Sequence, residues 1–166
     1  MYRTIEDFKK DWDYESEVTT KMLGALTDAS LDQRVTSDGR TLGFMAWHIV
    51  ICLGMATEAG LPSFQAADPH SSQPPSGAAI ADAYKKSAAE LAASVQRHWQ
   101  DANLLEEVQM YGETWTRGYA LFAMVKHQTH HRGQMTVLMR QAGLPVPGAY
   151  GPSKEEWAAM GMEAQP

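Results

Sequence analysis

The sequence predicts an all-α fold: a four-helix bundle, with a short extended or hairpin-like segment before the last long helix. Three observations carry that expectation. Apolar residues recur every three or four positions through four separate stretches. No convincing sheet pattern accompanies them. The 166-residue length suits one domain, residues 1–166; a chain of that size buries about two-thirds of its unfolded surface and needs no staples to fold.

The first stretch covers about residues 5–28, with Ile5, Phe8 and Trp12 at helical spacing and Met22, Leu23 and Leu26 continuing it. Thr36, Ser37 and Asp38 then offer N-caps for a second helix over about 39–59. Its sequence, TLGFMAWHIVICLGMA, is apolar almost all round, which predicts a central, buried helix ended by Gly60, Leu61 and Pro62. Residues 62–76 (PSFQAADPHSSQPPS) read as a Pro/Ser-rich loop, since neither flank is long enough to form a separate bundle. A third helix follows over about 77–99, with Ile80, Tyr84, Leu91 and Val95 on one stripe. Leu105–Trp115 partly alternates and contains Tyr-Gly, the mark of the extended excursion. The fourth helix spans about 117–142 and stops at Gly143, with Pro145 and Pro147 beyond it. In the tail, GPSKEEWAAMGM predicts one short helix capped by Ser153 with Glu156 as its capping partner. No internal repeat of fixed period is present.

Composition excludes several classes of function. The net charge of -6 argues against a nucleic-acid partner, because phosphate binding needs clustered Lys and Arg. No long apolar run is available to cross a membrane, and the N-terminus (MYRTIEDFKKDWDYE) is too charged for a signal peptide. The single cysteine, Cys52, rules out an internal disulfide and fits a reducing cytoplasm. Ten Met and five Trp exceed the usual share for this length; core filling is the simpler reading, ahead of a Met-rich cofactor site.

The chemistry lies in the histidines. Along the fourth helix, Ala120, Met124, His127, His131, Met135 or Gln134, Leu138 and Ala142 are three or four residues apart and share a face. The polar run KHQTHHRGQ interrupts that otherwise apolar stripe, a conflict between pattern and burial that tends to mark a functional site. Two imidazoles one turn apart can grip one cation, which satisfies their acceptor lone pairs and keeps the rings neutral. His48 stands on the most apolar helix, in line with Met45, Cys52 and Met55. Alone it would be a hydrogen-bonded core histidine, but beside a histidine pair it becomes a third candidate ligand. Three ligands leave room for water or substrate, the pattern of a catalytic rather than a structural site. Periodicity does not decide between His130 and His131, at i+3 and i+4 from His127. His70, in the loop, and His98, at the end of the third helix beside Trp99, read as surface or capping residues.

TLGFMAWHIV, KHQTHHRGQMTVLMRQAGLPVP and YGPSKEEWAAMGM together resemble the DinB/YfiT-like family of metalloenzymes over essentially the whole chain. That resemblance implies a four-helix bundle holding a divalent metal, zinc or nickel in many members, through one His of the second helix and two of the last. On this chain these are His48, His127 and His131. It also implies a homodimer, a link to stress response, and a small-molecule substrate handled by a low-molecular-weight-thiol-dependent S-transferase or thiol-dependent isomerase. The competing expectations are a metal-dependent hydrolase and a stress-related metal-binding protein without catalysis. Cys52, one turn from His48, could close the site as a fourth ligand, although its Ile, Leu and Met neighbours favour a core cysteine. Arg132 and Gln134 are expected either to orient ligands or to anchor a partner helix, with a solvated polar face the alternative for Arg132. Gly133 is expected to mark close helix packing or room for a neighbour. Tyr111, Trp115 and Tyr119 could wall a pocket, though hairpin packing explains them more simply.

Overall fold

The computed structural model describes residues 1–163 and is mostly helical, with four helices and one small two-stranded hairpin. Helix α1 (Ile5–Gly24) starts where Thr4 accepts a hydrogen bond from the Asp7 N–H, and Glu6 and Asp7 place negative charge at its N-terminus. Its buried face presents Phe8, Trp12, Val18, Met22 and Leu23. The helix ends four residues before the periodicity does. Beyond it, Ser30 Oγ receives the Thr27 N–H at 3.1 Å, and Asp28–Ser30 turn as a short 3-10 segment. Side chains that bond the local backbone in this way compete with a continuing helix.

Helix α2 (Leu42–Cys52) is capped by Thr41, which receives the Phe44 N–H at 3.0 Å. Thr36, Ser37 and Asp38 therefore do not cap it; they lie in a turn closed by the Gly39 N–H on the Thr36 carbonyl. The long second helix of the sequence reading also divides. At Leu53 the N–H reaches back only three residues, to Val50, and the chain resumes as the single turn α3 (Met55–Glu58) before Gly60. Helix α4 (Gly77–His98) begins at its Ser76 cap. Strands β1 (Glu107–Met110) and β2 (Glu113–Thr116) pair antiparallel, with Val108 opposite Trp115. Tyr111 and Gly112 make the two-residue turn with φ of 53° and 81°, the left-handed pair that joins twisted strands.

Thr116 caps helix α5 (Arg117–Gln141), which ends before Gly143 at φ 73°. Gly118 lets the Tyr2 and Leu104 carbonyls approach α5, where any Cβ would collide with the Tyr2 oxygen. α1 packs on α4 and α5, and α2 packs on the same two helices, so the four enclose one apolar core. The Trp12 indole N–H donates to the Ala88 carbonyl at 3.1 Å and locks α1 to α4.

The tail departs from expectation. Glu156 does accept the Ser153 N–H, at 3.1 Å, but it also accepts from Gly148 N at 2.9 Å, and the Ser153 hydroxyl caps nothing. With only half of the reciprocal capping pair made, the chain turns and yields just the 3-10 segment Ala158–Met160.

Between α1 and α5 lies a buried ion pair, Arg132 with Glu15, 2% and 5% exposed. Arg132 also donates to the Glu15 carbonyl (2.8 Å), Thr19 (3.0 Å), Thr129 (3.1 Å) and the Tyr150 hydroxyl (2.7 Å). Tyr150 in turn donates to Glu15 at 2.7 Å, bringing the chain after α5 onto the bundle. Arg132 is thus neither a solvated residue nor a neighbour of the histidine nitrogens.

Candidate metal centre

The middle of α2 and the middle of α5 carry the site. Phe44, one turn before His48, stacks on its imidazole with 5.9 Å between ring centroids and 10° between planes. Arg40 lies over the outer face of Phe44. From α5, His127 and His131 project one turn apart towards His48. The His48 and His127 Nε2 atoms are 3.2 Å apart, those of His127 and His131 2.9 Å, and one nitrogen from each ring falls within a common 4.8 Å span. His131 is buried, while the other two rings reach solvent on one side. His127 accordingly sits at the edge of the buried stripe rather than within it; Met124, Gln128, His131, Arg132, Met135 and Leu138 fill that stripe.

This arrangement fits a divalent cation. Ligand bonds of about 2.0–2.1 Å spread at a tetrahedral angle place neighbouring nitrogens about 3.3 Å apart, with smaller angles giving less. His131 Nδ1 lies 2.8 Å from Gln134 Oε1, an acceptor only, so Nδ1 carries the proton and Nε2 offers its lone pair to the cluster. Burial pushes the His48 imidazole down to about 4, with His131, His127 and Arg40 adding to the effect. Burial likewise lowers His127 and His131, each helped by neighbouring histidines. Near neutral pH the three rings are therefore uncharged bases facing one point, which is the state that metal ligation requires.

Other histidines stand apart. His130 points off the flank and is exposed, as are His70 and His98. The Cys52 thiol is 3.3 Å from His48 Nε2 but does not share the span that holds the three imidazole nitrogens. Burial, followed by the Glu58 charge, pushes that thiol up to about 12. It is half-buried and lines a cavity, so it is not the fully enclosed core residue that its apolar neighbours suggest. Gly133 is exposed with open space around it, so close packing does not explain it.

The Gln134 contact is the kind that fixes a ligand's tautomer. Gln134→Ala is expected to weaken divalent-metal affinity by about 10–100-fold while leaving the fold intact. Competition with a chromophoric chelator measures this, and an unchanged affinity would show that Gln134 has no part in orienting His131.

His48 and His127 help line a cavity of about 1040 Å³. The loop after α3 supplies one wall through Phe64, Ala66 and Ala67, held by the Thr57 hydroxyl on the Phe64 carbonyl and by the Trp47 indole on the Ser71 carbonyl. The hairpin supplies Tyr111, Glu113 and Trp115. Tyr111 and Trp115 thus wall a pocket; Tyr119 instead packs edge-on against Trp115 at 4.9 Å. The loop wall and the cavity carboxylates had no periodic signal in the sequence, and the tight Tyr-Gly turn was the only local hint of the hairpin wall.

The model of the DinB family matches residues 1–165. Uncharacterized protein YrdA of Bacillus subtilis (strain 168) is 44% identical over 164 residues, covering 99% of this chain and 98% of that one. The crystal structure of a DinB-like protein from Bacillus cereus ATCC 10987 superposes with a TM-score of 0.86 at 43% identity, covering 90% of this chain and all of its own. A second DinB-like protein, YjoA of Bacillus subtilis, shares the fold at a TM-score of 0.66 and 15% identity, over 87% of this chain and 99% of that one.

Proposed function

Because the chain belongs to the DinB family, we propose that it is a metal-dependent enzyme in which His48, His127 and His131 hold one divalent cation, zinc or nickel, and that it transfers or isomerises substrates with a low-molecular-weight thiol. One observation carries this reading: one nitrogen from each of three imidazoles falls within a common 4.8 Å span, and two of those rings, His48 and His127, line a cavity open to solvent. When bound, such a cation supplies the positive charge that favours a thiolate over a thiol near neutral pH.

The chain's own residues do the rest. Gln134 holds the His131 proton on Nδ1 and so keeps Nε2 free. Phe64 and Ala66 on the loop and Trp115 on the hairpin exclude water from the inner cavity and position an electrophilic carbon. In the transfer itself the thiol loses its proton, a sulfur–carbon bond forms, and the leaving group departs with its electron pair.

Metal-loaded protein assayed with a panel of electrophiles should turn over only when thiol is added. Its rate should rise with pH through a value below the free-thiol pKa of about 8.5. His131→Ala should fall to the uncatalysed rate. Turnover without thiol would instead favour hydrolysis, and no turnover under any condition would leave a metal-binding protein. The reading also includes a homodimer, for which sedimentation should give twice the 18.3 kDa chain mass and a monomer would remove that element.

A further inference from the structure

The cavity beside the histidines has a polarity that the reaction class does not by itself demand. Its aromatic surface comes from Phe64, Tyr111 and Trp115, and its charged groups are Glu58, Asp68 and Glu113. No Lys or Arg lines it. Arg40, Arg117 and Lys126 are engaged elsewhere: Arg40 stacks on Phe44, Arg117 pairs with Glu106 and donates to the Ala59 carbonyl at 3.1 Å, and Lys126 lies over Phe122.

None of the three cavity carboxylates forms a salt bridge among the described residues. Glu113 accepts the Trp115 indole N–H at 2.8 Å, which fixes the ring against the cavity and leaves the carboxylate charge uncompensated. Among the described residues, the Asp68 carboxylate accepts the His70 backbone N–H, at 2.9 Å, and no cationic group. Burial, then the Glu58 charge, pushes the Tyr111 phenol up to about 12, so Tyr111 adds no anion of its own and keeps a neutral ring.

Unpaired carboxylates around a concave apolar wall concentrate negative potential inside it. Aromatic faces add to the attraction for a cation, most strongly for one with a diffuse charge and apolar substituents. No side chain lining the cavity offers an anionic ligand a basic partner. Resting on the reading of the histidine cluster as a reaction centre, we propose that this cavity selects a substrate bearing an organic cation, an alkylammonium or quaternary ammonium group on an apolar body. Glu58, Asp68 and Glu113 recognise the charge, and Tyr111 and Trp115 recognise the body.

Benzyltrimethylammonium is a suitable probe, because its nitrogen has no lone pair and cannot ligate a metal. Calorimetric titration of the full chain, zinc-loaded and again after chelation, compares it with benzyl alcohol and 3-phenylpropionate. In the chelated protein the cation should bind about tenfold or more tighter than either comparator, and added salt should weaken it. The double variant Glu58→Gln/Glu113→Gln should lose about tenfold in cation affinity and leave benzyl alcohol unchanged. If that variant melts early by circular dichroism, Glu58→Gln/Asp68→Asn replaces it, because the hairpin is then untouched. No binding of the cation, binding no tighter than the neutral alcohol, or indifference to the substitutions would overturn the proposal. Metal stoichiometry on the same samples keeps the two readings apart. Cation binding without metal binding would remove the reaction centre and keep the cation site, whereas metal binding without cation selectivity would do the reverse.

Discussion

His127→Ala is expected to strip the metal from the protein. With three imidazoles as the proposed ligands and, among the described residues, no fourth candidate within their span, each nitrogen would carry a large share of the binding free energy. Structural zinc sites with four ligands bind with about 10–16 kcal/mol, or roughly 3 kcal/mol per ligand. Removing one of three should therefore weaken binding by about a hundredfold or more, since every 1.4 kcal/mol is tenfold. His127 is the best of the three to remove, because it sits at the exposed edge of the buried stripe and its loss leaves the core intact. The thermal transition of the metal-free variant should match that of metal-free wild type. His98→Ala, at the exposed end of α4, should retain full affinity. Dialysis followed by elemental analysis reads both variants. Equal metal retention in His127→Ala and wild type would move the site elsewhere.

Glu15→Ala should produce the largest loss of stability of any single polar substitution. It would leave the Arg132 guanidinium, 2% exposed, without its countercharge between α1 and α5. Breaking a buried pair from one side costs about 3–5 kcal/mol, because the remaining charge stays desolvated and unpaired. Set against a total stability of about 5–15 kcal/mol, that loss is severe. Asp13→Ala is the matched control. It breaks an exposed i,i+4 pair with Lys9 and should cost no more than about 1 kcal/mol. Replacing both partners, as Glu15→Leu/Arg132→Met, should recover most of the loss, since no buried charge is then left unpaired. Urea unfolding measures all four proteins, and a Glu15→Ala cost no greater than that of Asp13→Ala would show that the pair contributes nothing.

The long helices and the histidine set were legible because both rest on helical spacing. His127 and His131 are one turn apart on one side of their helix, and His48 lies on the most apolar stretch, although His127 ends at the exposed edge of the buried stripe. Family resemblance was needed to choose His131 over His130, and the buried His131 and exposed His130 agree with that choice. Helix ends were less legible. The Thr27 and Ser30 side chains stop α1 by local hydrogen bonds, and Thr41 wins the cap of α2 over three earlier candidates. Such contests are decided by backbone geometry that spacing does not encode.

The Glu15–Arg132 pair was out of reach for a different reason. The two residues are 117 positions apart, and each one alone looks like an ordinary surface charge on an amphipathic helix. The cavity carboxylates come from α3, a loop and a hairpin, three segments that only the tertiary fold brings together.

The most direct measurement of the central claim is an anomalous-difference map from crystals of the zinc- or nickel-loaded full-length chain, collected at that metal's absorption edge. The account predicts one strong peak per chain, about 2.0–2.2 Å from an imidazole nitrogen of each of His48, His127 and His131. A loaded crystal with no peak there, or with its main peak bound by other residues, would contradict it.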